Sequence, residues 1–160
     1  MLLTGLAAAG CSNDAAHDAS MQDKAHHDGV NERGDKVMGF DHDKTTHHFR
    51  LFGDGGAIEV TANDAADTAS RDQIRQHLAH IATKFADGDF NAPMMIHNRE
   101  PDGVATLKNL KSEVKYVYSD LPNGGVVRIT TANKEALDAV HAFMRFQISD
   151  HKTGDPTTVQ

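Results

Sequence analysis

Residues 55–64 read GGAIEVTAND and residues 124–133 read GGVVRITTAN. Both decapeptides open on a glycine pair, continue with strand-forming residues and end on side chains that cap helices. A second strand-like run precedes each of them. HHFRLF (47–52) leads into the turn GDGG, and VKYVYS (114–119) leads into DLPNG. Each pair reads as a β-hairpin. A helical pattern follows each hairpin. In SRDQIRQHLAHIATKF (70–85), Ile74, Leu78, Ile81 and Phe85 recur on one stripe. In KEALDAVHAFMRFQISDH (134–151), Leu137, Val140, Met144 and Ile148 do the same. Both halves leave their helix through Gly-Asp, at Gly88-Asp89 and Gly154-Asp155.

The chain is thus an internal repeat of hairpin and helix. A lone hairpin cannot bury its apolar face. The expected fold is α+β: two hairpin-helix repeats form a four-stranded antiparallel sheet with two helices on one face. The 26-residue connection 86–111 is long for a loop, and loops of that length are often functional. Leu107 and Leu110 predict a short extra helix within it.

Period two places the histidines of the first strand. Phe49 and Leu51 face the core, so His47 does too, while His48 joins Arg50 on the outer face. On the second helix His141 falls within the apolar stripe. On the first, His77 lies at the stripe's edge and His80 nearer solvent. Aligned as HLAHIATKFADGD against HAFMRFQISDHKTGD, the two helices put His77 and His141 in matching places. His47, His77 and His141 are therefore expected to converge between sheet and helices as a three-nitrogen site for copper or zinc. His80 is a weaker candidate, and the loop adds Met94, Met95 and His97, whose thioethers favour Cu(I). The competing reading is a set of hydrogen-bonded core histidines and gap-filling methionines.

The chain has 160 residues, a formal net charge of −7 and 11 histidines. The acidic balance argues against a nucleic-acid partner, which requires a basic surface. Cys11 is the single cysteine, so an internal disulfide and a cysteine-based zinc knuckle are excluded. No run approaches the roughly 18 apolar residues of a membrane span. Residues 12–36 have no apolar periodicity and are rich in Asp, Ala and His; they are expected to be a disordered tether. Its His17, Met21, His26 and His27 are a compositional cue for metal. The folded domain is expected over 37–156, with 157–160 as a tail.

MLLTGLAAAGC (1–11) resembles the lipobox of a bacterial lipoprotein, with Leu6 to Gly10 small or apolar before Cys11. The resemblance implies that Cys11 is lipidated and becomes the N-terminus, and that the membrane is a partner through that lipid alone. The apolar run is short and no Lys or Arg precedes it, which points to a true start upstream. Ser12, with no aspartate after the cysteine, implies an outer-membrane lipoprotein of the cell envelope facing the periplasm. MGFDHDKTTHHF, ASRDQIRQHLAHIA, GDFNAPMMIH and HAFMRFQISDHKTGDP are similar to segments of a family of small His-rich exported bacterial proteins. That resemblance implies a compact domain and carries no activity.

Three functions compete at this point. One is a lipid-anchored periplasmic metal-binding protein for sequestration, delivery or sensing. A second is an envelope enzyme pairing a histidine with a carboxylate, such as Asp41 or Asp43 with His47. The third is an adaptor whose contact surface is the outer sheet face, with His48, Arg50, Glu59 and Arg128. No G-x-S-x-G, P-loop or helix-opening G-x-G-x-x-G occurs, and DHDKTTHH lacks the glycine and distal glutamate of a calcium loop.

Overall fold

The structure, a computed structural model, describes residues 12–160; the expected lipobox and its Cys11 lie outside the described residues. Helix α1 spans Ser12–Met38. A short 3-10 turn at His42–Lys44 leads into β1 (Thr45–Phe52) and β2 (Gly55–Ala62), and then α2 (Thr68–Ala86). The connection contains α3 (Asn91–His97) and α4 (Val104–Asn109). The second repeat is β3 (Val114–Leu121), β4 (Gly124–Thr131) and α5 (Lys134–His151).

The strands form one antiparallel sheet in the order β1-β2-β4-β3. The expected α+β fold with two hairpins is the one observed. The two glycine pairs make the central pairing possible. Gly55 lies opposite Thr130 and Gly124 opposite Thr61. A Cβ on Gly55 would sit 1.9 Å from the carbonyl oxygen of Ile129, and one on Gly124 would sit 2.0 Å from that of Val60. The repeated GG is therefore a backbone-approach device used twice, once at each end of the same β2–β4 pairing.

Helices α2 and α5 pack on the sheet face that carries Phe49, Leu51, Ile58, Val60, Val127 and Ile129. Asp67 and Asn133 cap their N-termini, accepting from the backbone N–H of Ser70 and Ala136. The core stripe of α2 is the expected one: Ile74, Leu78, Ile81 and Phe85 are all buried. Of the expected α5 stripe, Val140, Met144 and Ile148 are buried and Leu137 is only partly so, while Ala136, Ala139, Phe143 and Phe146 are buried on other sides of the helix. The reason is a partial third layer, because α1 and α4 pack against it.

That layer corrects the expectation of a disordered tether at 12–36. Residues Ser12–Met38 are one helix, docked on α3 and α5. Among its described side chains, Val30 is the one apolar residue that is fully buried. Met38, partly buried against the core, adds the thioether at its end, and the other attachments are polar. Arg33 donates to the carbonyl of Ile96 at 2.7 Å, His26 Nε2 pairs with Asp150 at 3.0 Å, and Lys152 pairs with Asp23 at 2.6 Å. A helix held this way shows no apolar period, which is why the pattern predicts none. The connection likewise holds two short helices where one is expected.

At the other end, the terminal tail lies along the free edge of β1. The Asp155 carboxylate accepts from the backbone N–H of Phe49 at 3.0 Å, and the N–H of Gln160 donates to the carbonyl of Leu51 at 2.9 Å. The edge that would otherwise be open to another strand is thereby covered.

Candidate functional site

His47 faces the helix layer as period two requires, beside Phe49, and it is the start of the site. Its ring is near-parallel to that of His151, with centroids 5.7 Å apart. The His151 ring meets that of His97 edge-on at 4.9 Å. Phe40 bridges towards α2, stacking on His47 at 5.9 Å and meeting His77 edge-on at 5.7 Å. His47, His77, His97 and His151 line one cavity of about 60 Å³, with Met38 and an otherwise largely apolar wall that includes Phe49, Val60 and Phe143. Four separate elements deliver the four imidazoles: β1, α2, α3 and α5.

Burial sets the charge state. It lowers the pKa of His47 to about 4, and the neighbouring His77, His42 and His48 act in the same direction. Burial also lowers His77 to about 4, with His80 adding to it. His151 is held well below its ordinary value by burial, then by His47 and His97. These rings are neutral at pH 7 and present lone pairs. The Nε2 of His47 is shielded from solvent and has no hydrogen-bond partner.

His97 is different. Its Nδ1–H donates to the Asp150 carboxylate at 2.5 Å, and its Nε2 lies 3.0 Å from the side-chain amide of Gln147. Asp150 also accepts from His26 and from Arg99, both at 3.0 Å. Burial opposes ionisation of Asp150, but the hydrogen bonds from His97 and His26 outweigh it and hold its pKa below the usual carboxylate value. The His97 pKa is lowered by burial against the pull of Asp150. Both His97 nitrogens thus face oxygens, that of Asp150 and the side-chain oxygen of Gln147, and a neutral ring, with one N–H, can donate to only one of them at a time.

Of the expected trio, His47 and His77 share the cavity and His141 does not. His141 Nε2–H donates to the backbone carbonyls of Phe52 at 2.8 Å and Gly55 at 3.2 Å, across the turn of the first hairpin. The equivalent of His141 in the first repeat is Arg75, which donates to the carbonyls of Leu121 at 2.6 Å and Gly124 at 3.1 Å, across the turn of the second. Each helix thus clamps the other repeat's hairpin. The helix N-caps Asp67 and Asn133 and the left-handed exits Gly88 and Gly154 define the true alignment of the two helices. In it His77 matches Phe143 and His151 matches Phe85. The expected match of His77 with His141 is two residues out of step, which turns a side chain through about 200° around the helix. Replacing His141 with Ala removes both bonds, and a loss of about 1–2 kcal/mol in stability is expected. Replacing it with Arg, the residue its counterpart uses, should restore most of that loss in a urea titration.

The same symmetry pairs His47 with Tyr116. They lie opposite Val60 and Ile129, which are themselves equivalent. Tyr116 carries the other shielded polar atom without a partner, its hydroxyl, and burial raises its pKa. Tyr116→Phe removes a polar group that gains nothing from folding, and the urea midpoint should rise by the equivalent of about 1 kcal/mol.

The remaining candidates fall outside the cavity. His80 is exposed and lines a surface cleft with His77 and Met38. Met95 is 60 % exposed, and Met94 lies by Lys108, its Sδ 3.5 Å from Nζ. Pro93, Ile96 and His97 form the inward side of α3, so the two methionines point elsewhere, and Met38 supplies the cavity's thioether. Among the described residues, the one group of three whose ligand atoms lie within 4.8 Å of one another is Asp35, Asp41 and His42. Both His42 nitrogens already face carboxylates, Nδ1 at 2.9 Å from Asp35 and Nε2 at 3.3 Å from Asp43. The inner imidazoles surround their cavity without closing on a point. Zn–N bonds near 2.0–2.1 Å would require three nitrogens about 3.4 Å apart, so an ion would draw these rings inward.

The carboxylate–histidine pairs expected of an enzyme also occur, though not at Asp41 or Asp43 with His47. Besides His26 with Asp150 and His42 with Asp35 and Asp43, they include His97 with Asp150 and, at the sheet edge, His48 with Asp155 at 2.8 Å; of these, His97 with Asp150 is the buried one. The His97–Asp150 pair leaves no free nitrogen, since Gln147 occupies Nε2 and the ring is 1 % exposed. Met38 is a missed member of the site, and so is His151. Its signal was present, because it continues the stripe of Met144 and Ile148. Comparison with known families, with curated proteins and with solved structures finds no match to this chain.

Proposed function

We propose that the protein binds a transition-metal ion, copper or zinc, with His47, His77 and His151 as ligands and Met38 beside them. The observation that carries this reading is a ring of neutral imidazoles around one cavity, one of them with a shielded nitrogen that has no partner. Metal competes with protons for such nitrogens, and rings kept neutral to about pH 4 remain ligands in mild acid. His97, fixed by Asp150 and Gln147, packs against His151 and orients it. In the same reading Cys11 carries a lipid, and the protein works at the outer membrane facing the periplasm, in sequestration, delivery or sensing.

Titration of the purified protein with Cu(I), Cu(II) and Zn(II) tests the proposal. Binding tighter than micromolar is expected, weakened at least tenfold by His47→Ala and unaffected by His141→Arg. A silent titration would leave a water molecule as the better occupant, since a cavity of about 60 Å³ exceeds the roughly 10–15 Å³ that one water needs.

A second reading rests on the His97–Asp150 pair, which has the geometry of an oriented general base. It requires Gln147 to swing away and release Nε2. Gln147→Ala would then raise a hydrolytic activity rather than only lower stability.

A further inference from the structure

A second cavity, of about 230 Å³, lies on the other side of His47 and His151. One wall is α1, through His27, Val30, Asn31 and Met38; the other holds Thr45, Thr46, His42 and Thr153. The inner and outer cavities have three lining residues in common: Met38, His47 and His151. Two imidazoles and a thioether therefore form the partition between them. An imidazole has a nitrogen on each of two edges, so a ring standing in a partition can bind from either side after a flip of its plane. His27 is the outer cleft's free imidazole. Its Nδ1 makes a weak contact with the backbone carbonyl of Asp150, at 3.4 Å, and its other nitrogen is not used in that contact. His42, by contrast, has carboxylates against both nitrogens.

We propose that the outer cleft is a loading site for Cu(I), in which His27 takes the ion first and Met38, His47 and His151 pass it through the partition to the inner cavity. The proposal rests on the metal-binding reading above and deepens it by naming the ion and its route. A soft monovalent ion suits a thioether and neutral imidazoles, and its low coordination number permits stepwise exchange. At each step one Cu–N or Cu–S bond forms as another breaks. No proton or electron is transferred, and the ion is never stripped bare in an apolar wall. Zinc, which holds four ligands, would have to shed more of them to cross.

The experiment is stopped-flow transfer of Cu(I) from its bicinchoninate complex to the full chain, followed by the loss of chelator absorbance, with the reverse transfer run separately. His27→Ala is expected to slow loading and release alike, by at least tenfold each, with the dissociation constant unchanged. That pattern marks a residue on the route rather than in the final site. His27→Gln serves as the second variant, and circular dichroism confirms that α1 is retained in both. If the wild-type chain takes no Cu(I), this inference is overturned; the metal reading falls with it only if Cu(II) and Zn(II) also fail to bind in the titration above. If the wild type binds and His27→Ala loads at the wild-type rate, the route is wrong while the metal reading stands. If His27→Ala weakens binding and speeds release only, His27 is a ligand of the resting site and the route is again overturned.

Discussion

Lowering the pH from 7.5 to 5 is expected to weaken the fold by several kcal/mol. His47 and His77 have folded pKa values of about 4, against about 6.5 when unfolded. Between these values the unfolded chain binds protons that the native chain refuses, so stability falls as pH falls. The contribution of each ring is fully present above pH 6.5 and lost progressively as pH drops towards 4. At pH 5 the loss comes to about 2 kcal/mol per ring, before coupling between them. His151, also held well below its ordinary value, adds to the same loss. His42 works the other way. Burial opposes its protonation, but its hydrogen bond to Asp35 raises its pKa, and it gains stability on charging. His97, lowered by burial, adds to the loss as well, and one group acting the other way does not offset four. Set against the 5–15 kcal/mol of an ordinary domain, the deficit brings unfolding within reach near pH 4. Urea midpoints at pH 7.5, 6 and 5 measure it, and the slope should flatten in His77→Gln. A midpoint that stays level from pH 7.5 to 5 would mean that the rings are far better solvated than their packing implies.

His97→Ala is expected to cost about 3–5 kcal/mol, the largest effect of any single substitution considered for this chain. The change opens a void where a fully buried ring stood against Phe146 and His151. It also takes from Asp150, a carboxylate only 8 % exposed, its shortest hydrogen bond. Asp150 is left with His26 and the half-exposed Arg99. The damage should spread to α1, since His26 and His27 both dock on Asp150. Amide exchange in α1 should quicken more than in β2 or β4. Asp150→Asn keeps the volume and is expected to cost less. A double-mutant cycle of the two changes should show strong coupling, whereas independent effects would refute a shared network.

Particular residues show how far this fold and site can be read in one dimension. The hairpins, the capped helices and the inward face of His47 are local, and alternation, turns and caps express them directly. His141 was legible as buried but not in its role. Five residues, Asn63 to Asp67, separate β2 from the body of α2, whereas only Ala132 and Asn133 separate β4 from α5. The strand match therefore cannot be carried into the helices without a gap. His151 was legible in principle, as a continuation of its stripe. The docking of α1 was not, because its partners are a carboxylate, a carbonyl and a lysine brought from α5, α3 and the residue after α5. Nothing in the helix itself announces them.

The paired glycines at the centre of the sheet bear on how such a chain arises. Because the β2–β4 pairing presents the same contacts from both ends, one hairpin-helix unit could make it with an identical copy of itself. Joining two copies frees each position to diverge without disturbing its mate. His47 and Tyr116, His151 and Phe85, and His77 and Phe143 are such positions, one member an imidazole lining the inner cavity and the other a larger aromatic ring. A symmetric ancestor would have carried either two clusters of imidazoles or none. The present chain concentrates them on one side of the dyad, leaving the other side to hold the fold together.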